Sequence, residues 1–316
     1  MKISIVGPNS QIPPLGWGAV ESLIWDMRNT LIKMGHEVQI VNVADPFQII
    51  TLINNFSPDF VHINYDDWIL IYPYIQYPCA ITTHFAYIDK PELMGGYKQR
   101  VFDFFTDIKP NVFGLSKSIN QVYNSLCNIP EEKLYLNPNG VDFEIFNKSN
   151  NPVFPDSSIY LAKIDSRKRQ YLFQTIDSLF YAGNIADSRF NKNKNYLGEW
   201  SKQHLYENLT HYGNLVLLSD GEAHPLVCLE AFSAGLGVVI SEWASANLDT
   251  NKNFITIIPE NKITDVYYVE QKIIDNRQYS IHHRQEIFDY AKTFDWKVIL
   301  ESYYIPNILK VINGKK

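Results

Sequence analysis

Short apolar runs of strand length alternate with helix-period stretches along the whole chain, and that alternation leaves few folds open. "KISIVG" (2–7) is β-branched and ends at a glycine, as a buried strand does. After a Gly/Pro-rich loop, "AVESLIWDMRNTLIKMG" carries Val20, Leu23, Ile24, Met27, Leu31 and Met34 at helical spacing, with Glu21 near its start, Lys33 near its end and Gly35 as its stop. "HEVQIVNV" is the next strand. A β-loop-α-β opening starts a parallel sheet.

The pattern continues with strands at "PDFVHINY", "CAITTHF", "NVFGLS" and "KLYLNPNGVD", and helices at "PELMGGYKQRVFDFFTDI" and "KSINQVYNSLCN". The polar, proline-bearing stretch "NKSNNPVFPDSS" (147–158) is the best linker candidate. The alternation then restarts: strand "IYLAKID", helix "RKRQYLFQTIDSL", strand "FYAGNI", a loop with a short strand in "NKNKNYLGEWS", helix "KQHLYENLTHYG", strand "NLVLLS", helix "PLVCLEAFSA" and strand "GVVIS". Helical stretches near 268–276 and 282–292 lead into "FDWKVILESYYIPNILKVI". A length of 316 residues suggests about two domains. We expect an α/β fold of two Rossmann-like domains facing across a cleft: an N-terminal domain at 1–150 and a second at 151–294. Ligand is expected beyond the carboxyl ends of the strands.

The net charge of −6 offers no basic footprint, which argues against a nucleic-acid partner. Cys79, Cys127 and Cys228 are isolated, without zinc spacing, and read as reduced core thiols. The first residues read as a strand and not as a secretory leader, and no apolar run approaches the roughly 18 residues of a membrane span. The expectation is a soluble, cytoplasmic protein, with room for peripheral contact at a membrane.

The run "AHPLVCLEAFSAGLGVVI" (223–240) is almost continuously apolar, yet Glu230 sits in its middle. A carboxylate there needs a fixed partner. Two adjacent sugar hydroxyls would match its two oxygens; a buried lysine or arginine is the other reading. Glu222 precedes the helix, on the loop after "NLVLLS", either as a ligand contact or as a solvated loop acid. "AKIDSRKR" places Lys163, Arg167, Lys168 and Arg169 just after the first strand of the second half, where basic side chains would meet a diphosphate or only solvent. Gly16 and Gly18 lie before the first helix, in a loop that is neither a P-loop nor a GxGxxG fingerprint. His84 follows "CAITT" at a strand end as a hydrogen-bond or proton partner, and His62 is a weaker candidate. "YDD" (65–67) reads as a helix start.

Taken in order, these fragments resemble the GT-B glycosyltransferases, and within them the large retaining family 4. "EAHPLVCLE" matches that family's acid, seven residues, acid signature with Glu222 and Glu230. "GWGAVE" echoes its N-terminal glycine loop, "GHEV" its second strand, "NGVD" its turn before the linker and "AKIDSRKR" its basic turn. "FDWKVILESYY" (294–304) looks like the start of a C-terminal segment, 295–316, that crosses back to the N-terminal domain. Lys163 stands where the family has arginine, Arg169 where it has glycine, and His224-Pro225 where it has Phe-Gly.

The resemblance implies a retaining transfer of sugar from a nucleotide-diphosphate sugar to a glycan, lipid-linked or other hydroxyl acceptor, without a metal and with no cofactor beyond the donor substrate. It implies that Glu230 holds the ribose, that Glu222, His224 and Leu226 meet the donor, and that Lys163 and Lys168 take the diphosphate. It places Gly16 and Gly18 beside the phosphate and His84 by the reacting sugar, with Glu222, His84 and Lys168 closest to catalysis. A nucleotide-sugar epimerase on the same fold and an inactive nucleotide-sugar-binding protein are the alternatives.

Overall fold

In the computed structural model, which describes residues 1–15 and 18–314, the chain divides into two compact units. One comprises residues 1–140 together with the segment from Trp296 onward; the other comprises residues 141–295.

The first unit opens with β1 (Lys2–Val6), α1 (Ala19–Lys33) and β2 (Glu37–Val41). Gly18 precedes α1 and its carbonyl accepts from Ser22 N at 2.9 Å; Gly35, at φ 85, lets the chain leave the helix. Next comes α2 (Pro46–Phe56), a helix the sequence reading passed over. It has an ordinary start signal: Pro46 in the first turn and an Asp45 side chain that accepts from Phe47 N at 2.8 Å. β3 (Phe60–Ile63) is followed by 3₁₀ turns over Asp66–Tyr74, so "YDD" does begin a helical stretch.

After β4 (Cys79–Ile81), the helix expected at 91–108 is broken into a 3₁₀ turn Pro91–Leu93, a π turn Lys98–Phe102 and α3 (Asp103–Ile108). Gly95 at φ 52 explains the break, since a left-handed residue cannot continue an α-helix. β5 (Val112–Gly114), α4 (Lys117–Cys127) and β6 (Leu134–Leu136) complete a parallel sheet in the order β2-β1-β3-β4-β5-β6. The C-terminal pieces Trp296–Ile299 and Ile305–Gly314 belong to this unit. Gly140 allows the contact: a Cβ there would lie 2.6 Å from the Trp296 ring. Asn307 Nδ2 then donates to Leu136 O at 2.8 Å.

The second unit's first strand, β7 (Phe154–Leu161), begins inside the expected linker. Its first three residues are exposed, so they look polar enough for a loop, while 159–161 are buried. The helix expected at 167–179 is absent. Two 3₁₀ turns, Ser166–Lys168 and Gln170–Leu172, flank Arg169, whose φ of 58 stops helix propagation. β8 (Leu179–Ala182), α5 (Lys202–Asn208), β9 (Tyr212–Leu217), α6 (Leu226–Ser233) and β10 (Gly237–Ser241) follow the reading. β11 (Ile255–Ile258) was not anticipated; α7 (Val266–His282) and α8 (Arg284–Ala291) close the unit. Its sheet is parallel, in the order β11-β10-β9-β7-β8.

Both sheets start in the interior and grow outward in two directions. The reversal falls between β1 and β3 in the first sheet and between β7 and β9 in the second. At such a switch point the connections leave to opposite faces and open a crevice at the carboxyl ends of the strands. The cores are ordinary: Ile5, Val61, Ile81 and Phe113 are fully buried in the first, Ile159, Leu215, Leu229 and Val239 in the second. The three cysteines are buried and none is in a disulfide.

Candidate functional site

The second unit's switch point collects charged side chains. The chain leaving β7 reaches the turn Ser166–Lys168, where Asp165 Oδ1 accepts from Lys168 N at 3.0 Å and fixes the turn. The chain leaving β9 reaches Glu222. Lys168 Nζ and Arg167 Nη1 both bond Glu222 Oε1, the latter at 3.0 Å, and Ser219 Oγ donates to the same oxygen at 2.7 Å. Among the described residues no donor reaches Glu222 Oε2, and that atom is not sealed from solvent. One oxygen is thus committed to the protein and the other can accept from a ligand hydroxyl.

Electrostatics follow from this crowding. Burial pushes the Glu222 carboxyl up, but the Lys168 and Arg167 charges and the bonds from Lys168 and Ser219 outweigh it and hold it below the usual carboxylate range. Burial lowers the Lys168 ammonium; attraction to Glu222 offsets that in part. Arg169 turns away from this group: its Nη1 and Nη2 fork onto Glu260 at 3.0 and 2.6 Å, and Nη2 also meets Asp220 at 2.9 Å. Lys163 is exposed.

Glu230 lies inside α6 and is 9% exposed. Its Oε1 accepts from Lys202 Nζ, at the start of α5, at 2.6 Å. Of the two readings of this carboxylate, the structure shows the lysine pair. Its other oxygen has no hydrogen-bond partner among the described residues. Lys202, absent from the sequence-level candidates, carried no local signal because it sits 28 residues away. His224 is buried, and burial lowers its imidazole to about 4. Leu226 is the half-buried first residue of α6.

In the first unit His84 follows β4, and its Nε2 meets Asn64 Oδ1, just past β3, at 2.8 Å. An amide oxygen as acceptor places the ring hydrogen on Nε2 and leaves Nδ1 basic. Burial lowers His84 to about 4, so it is neutral near pH 7. His62 is different: Thr82 Oγ1 at 2.9 Å and Tyr304 OH at 3.2 Å take its two nitrogens, and burial lowers it to about 3. It is a satisfied core histidine. Asp66, which the reading treated only as a helix start, is buried between Thr83 and Tyr97, and burial raises its carboxyl to about 6 despite their hydrogen bonds.

Gly18 makes room for its own loop, since a Cβ there would lie 2.9 Å from both Glu21 Oε2 and Pro14 Cβ. Gly16 lies outside the described residues. Among the described residues no group of three or more His, Cys, Asp or Glu side chains is placed to hold a metal ion, and no helix is long and apolar enough to cross a membrane.

Two parallel-sheet units of this order, with the C-terminal segment packed on the first, make the GT-B glycosyltransferase fold. No family model and no curated protein matches the chain. Solved structures do. Sucrose-phosphate synthase from Thermosynechococcus elongatus is similar at a TM-score of 0.75 and 13% identity, with 100% of both chains covered. HepE of Anabaena, solved in complex with UDP-glucose, is similar at 0.71 and 14% identity over 99% of this chain and 100% of that one. The lipopolysaccharide outer core galactosyltransferase WaaB is similar at 0.66 and 15% identity over 100% of both.

Proposed function

We propose that this protein is a glycosyltransferase that moves a sugar from a nucleotide-diphosphate sugar to a hydroxyl acceptor with retention of configuration. The observation that carries the reading is the Lys168–Glu222 pair at the switch point between β7 and β9. The pair holds a cation for a diphosphate and a carboxylate oxygen for a sugar hydroxyl in one fixed group. Neighbours of the same fold bound to UDP-glucose or described as a galactosyltransferase support it.

In the reaction the bond between the sugar's anomeric carbon and the phosphate oxygen breaks, and its electron pair leaves with the diphosphate. The acceptor oxygen attacks that carbon from the same face and passes its proton to the departing phosphate oxygen. Charge therefore grows on the leaving group, and Lys168 stabilises it. Glu222 Oε2 accepts from a donor-sugar hydroxyl, and Glu230 turns its second oxygen to the ribose. His84, neutral, serves a hydroxyl of the reacting sugar. No covalent enzyme intermediate and no metal enters this scheme. The acceptor is a glycan or a lipid-linked glycan, the latter met at a membrane surface.

A thermal-shift panel of nucleotide sugars tests the binding half. A true donor at about 100 times its Kd adds roughly 2.7 kcal/mol of stability. Product analysis tests the rest. A transferred sugar with the donor's anomeric configuration supports the reading, an inverted one overturns retention, and an isomerised donor makes the protein an epimerase. Binding without turnover over an acceptor panel makes it a binding module.

A further inference from the structure

The resemblance gives the diphosphate two lysines, and the structure separates them. Lys168 is buried on Glu222. Lys163 is exposed, and among the described residues its side chain enters no hydrogen bond or ion pair; only its carbonyl is used, by Gln170 Nε2 at 2.9 Å.

Arg167, next to Lys168 in the turn, does reach Glu222. Its Nη1 lies 3.0 Å from Glu222 Oε1 and 2.5 Å from Gly221 O, and the side chain is 25% exposed. Its carbonyl accepts from Asp220 N at 2.8 Å, so this one residue ties the turn after β7 to the loop after β9 through both main chain and side chain. Arg167 and Lys168 both face Glu222, whereas Arg169 is turned onto Glu260 and Asp220. The Arg167–Lys168–Glu222 group sits at the carboxyl ends of β7 and β9, where open sheets take ligands. A guanidinium keeps its charge at every working pH and presents a planar fork of donors that suits phosphate oxygens.

We infer that Arg167, not Lys163, is the second cation on the donor's diphosphate, holding it beside Lys168 while orienting Glu222. The inference rests on the glycosyltransferase reading above and deepens it by changing which side chain grips the phosphates.

Calorimetric titration with UDP, ADP and GDP identifies the nucleoside diphosphate bound most tightly. With that probe Arg167→Gln weakens binding by about tenfold or more and Lys163→Gln by less than about threefold. Arg167→Lys recovers part of the loss. The dependence of Kd on salt also weakens in Arg167→Gln, because one screened charge pair is lost, which damage to the loop alone would not produce. Binding by Arg167→Gln within about threefold of the parent, an unchanged salt slope, or a tenfold loss in Lys163→Gln overturns the assignment and leaves the glycosyltransferase reading standing. If Arg167→Gln does not fold, Lys163→Gln and Arg167→Lys decide: weakening by the first and none by the second overturns it. A parent protein that binds none of the three probes takes down both the assignment and the reading beneath it.

Discussion

Lys202 Nζ lies 2.6 Å from Glu230 Oε1 and joins the first turn of α5 to the interior of α6. The two side chains are 29% and 11% exposed, so the carboxylate is the more buried partner. Removing the lysine strands a mostly buried charge. Lys202→Ala should destabilise the protein by about 1–3 kcal/mol, the usual cost of losing a charge-assisted hydrogen bond. Urea unfolding measures it.

The same pair separates the two uses of Glu230. If its other oxygen holds a ribose, Glu230→Gln weakens nucleotide binding, whereas Lys202→Ala leaves it intact or tightens it by freeing Oε1. Equal losses of affinity in both variants would mean the carboxylate serves only to pin α5 on α6.

Lys168→Ala removes one donor from Glu222 and one charge from the leaving group. Loss of a preorganised charge contact costs on the order of 2–4 kcal/mol in the barrier, so turnover should fall roughly 10²–10³-fold. Steady-state transfer rates check this, and near-parental turnover would remove Lys168 from the chemistry.

Much of this arrangement was legible in the sequence. Short apolar runs alternating with helix-period stretches point to parallel sheets, and both sheets are parallel. Glu222, Lys168 and Arg167 lie at strand ends that pattern alone could mark. Their convergence was not readable, because Lys168 and Glu222 are 54 residues apart and meet only when β7 and β9 become neighbours. The missed helix break has a local cause: "RKRQYLFQ" has helix-forming residues, but tertiary ion pairs from Glu260 and Asp220 hold Arg169 in a left-handed conformation. α2 escaped notice although Asp45-Pro46 announces it. Asp66 looked like a solvated helix-start acid, since nothing local says that Thr83 and Tyr97 will enclose it.

Arg169 supplies a prediction of its own. Its φ of 58 is costly for any side chain but glycine, and its fork onto Glu260 offsets that cost. Arg169→Ala loses the fork and keeps the strain, and should destabilise by about 1–3 kcal/mol. Arg169→Gly loses the fork and the strain together, and should be more stable than the alanine variant by about 1 kcal/mol. Thermal unfolding of the two variants gives the comparison; alanine equal to or better than glycine would show the turn is unstrained.

Acid should unfold this protein through its buried histidines. His84 and His224 are lowered to about 4 and His62 to about 3, each chiefly by burial. A depressed folded pKa gives stability that is complete above the unfolded value near 6.5 and drains as pH falls toward the folded one. Asp66 works the other way. Its folded value of about 6 exceeds the ordinary value of 3.8, so its contribution is complete at low pH and is lost as pH rises through about 6. Between pH 4.5 and 5.5 the unfolded chain holds three protons on these histidines that the folded chain lacks, and the folded chain holds one on Asp66. For these four groups the net difference of about two protons predicts a loss on the order of 3 kcal/mol per pH unit on acidification. His62→Gln, whose amide can still bond Thr82 and Tyr304, should halve that slope, and Asp66→Asn should steepen it to about three protons. Denaturant unfolding at half-unit pH steps reads the slopes directly. A flat profile across this interval would mean that the histidines take up protons in the folded state and that their burial does not keep them neutral.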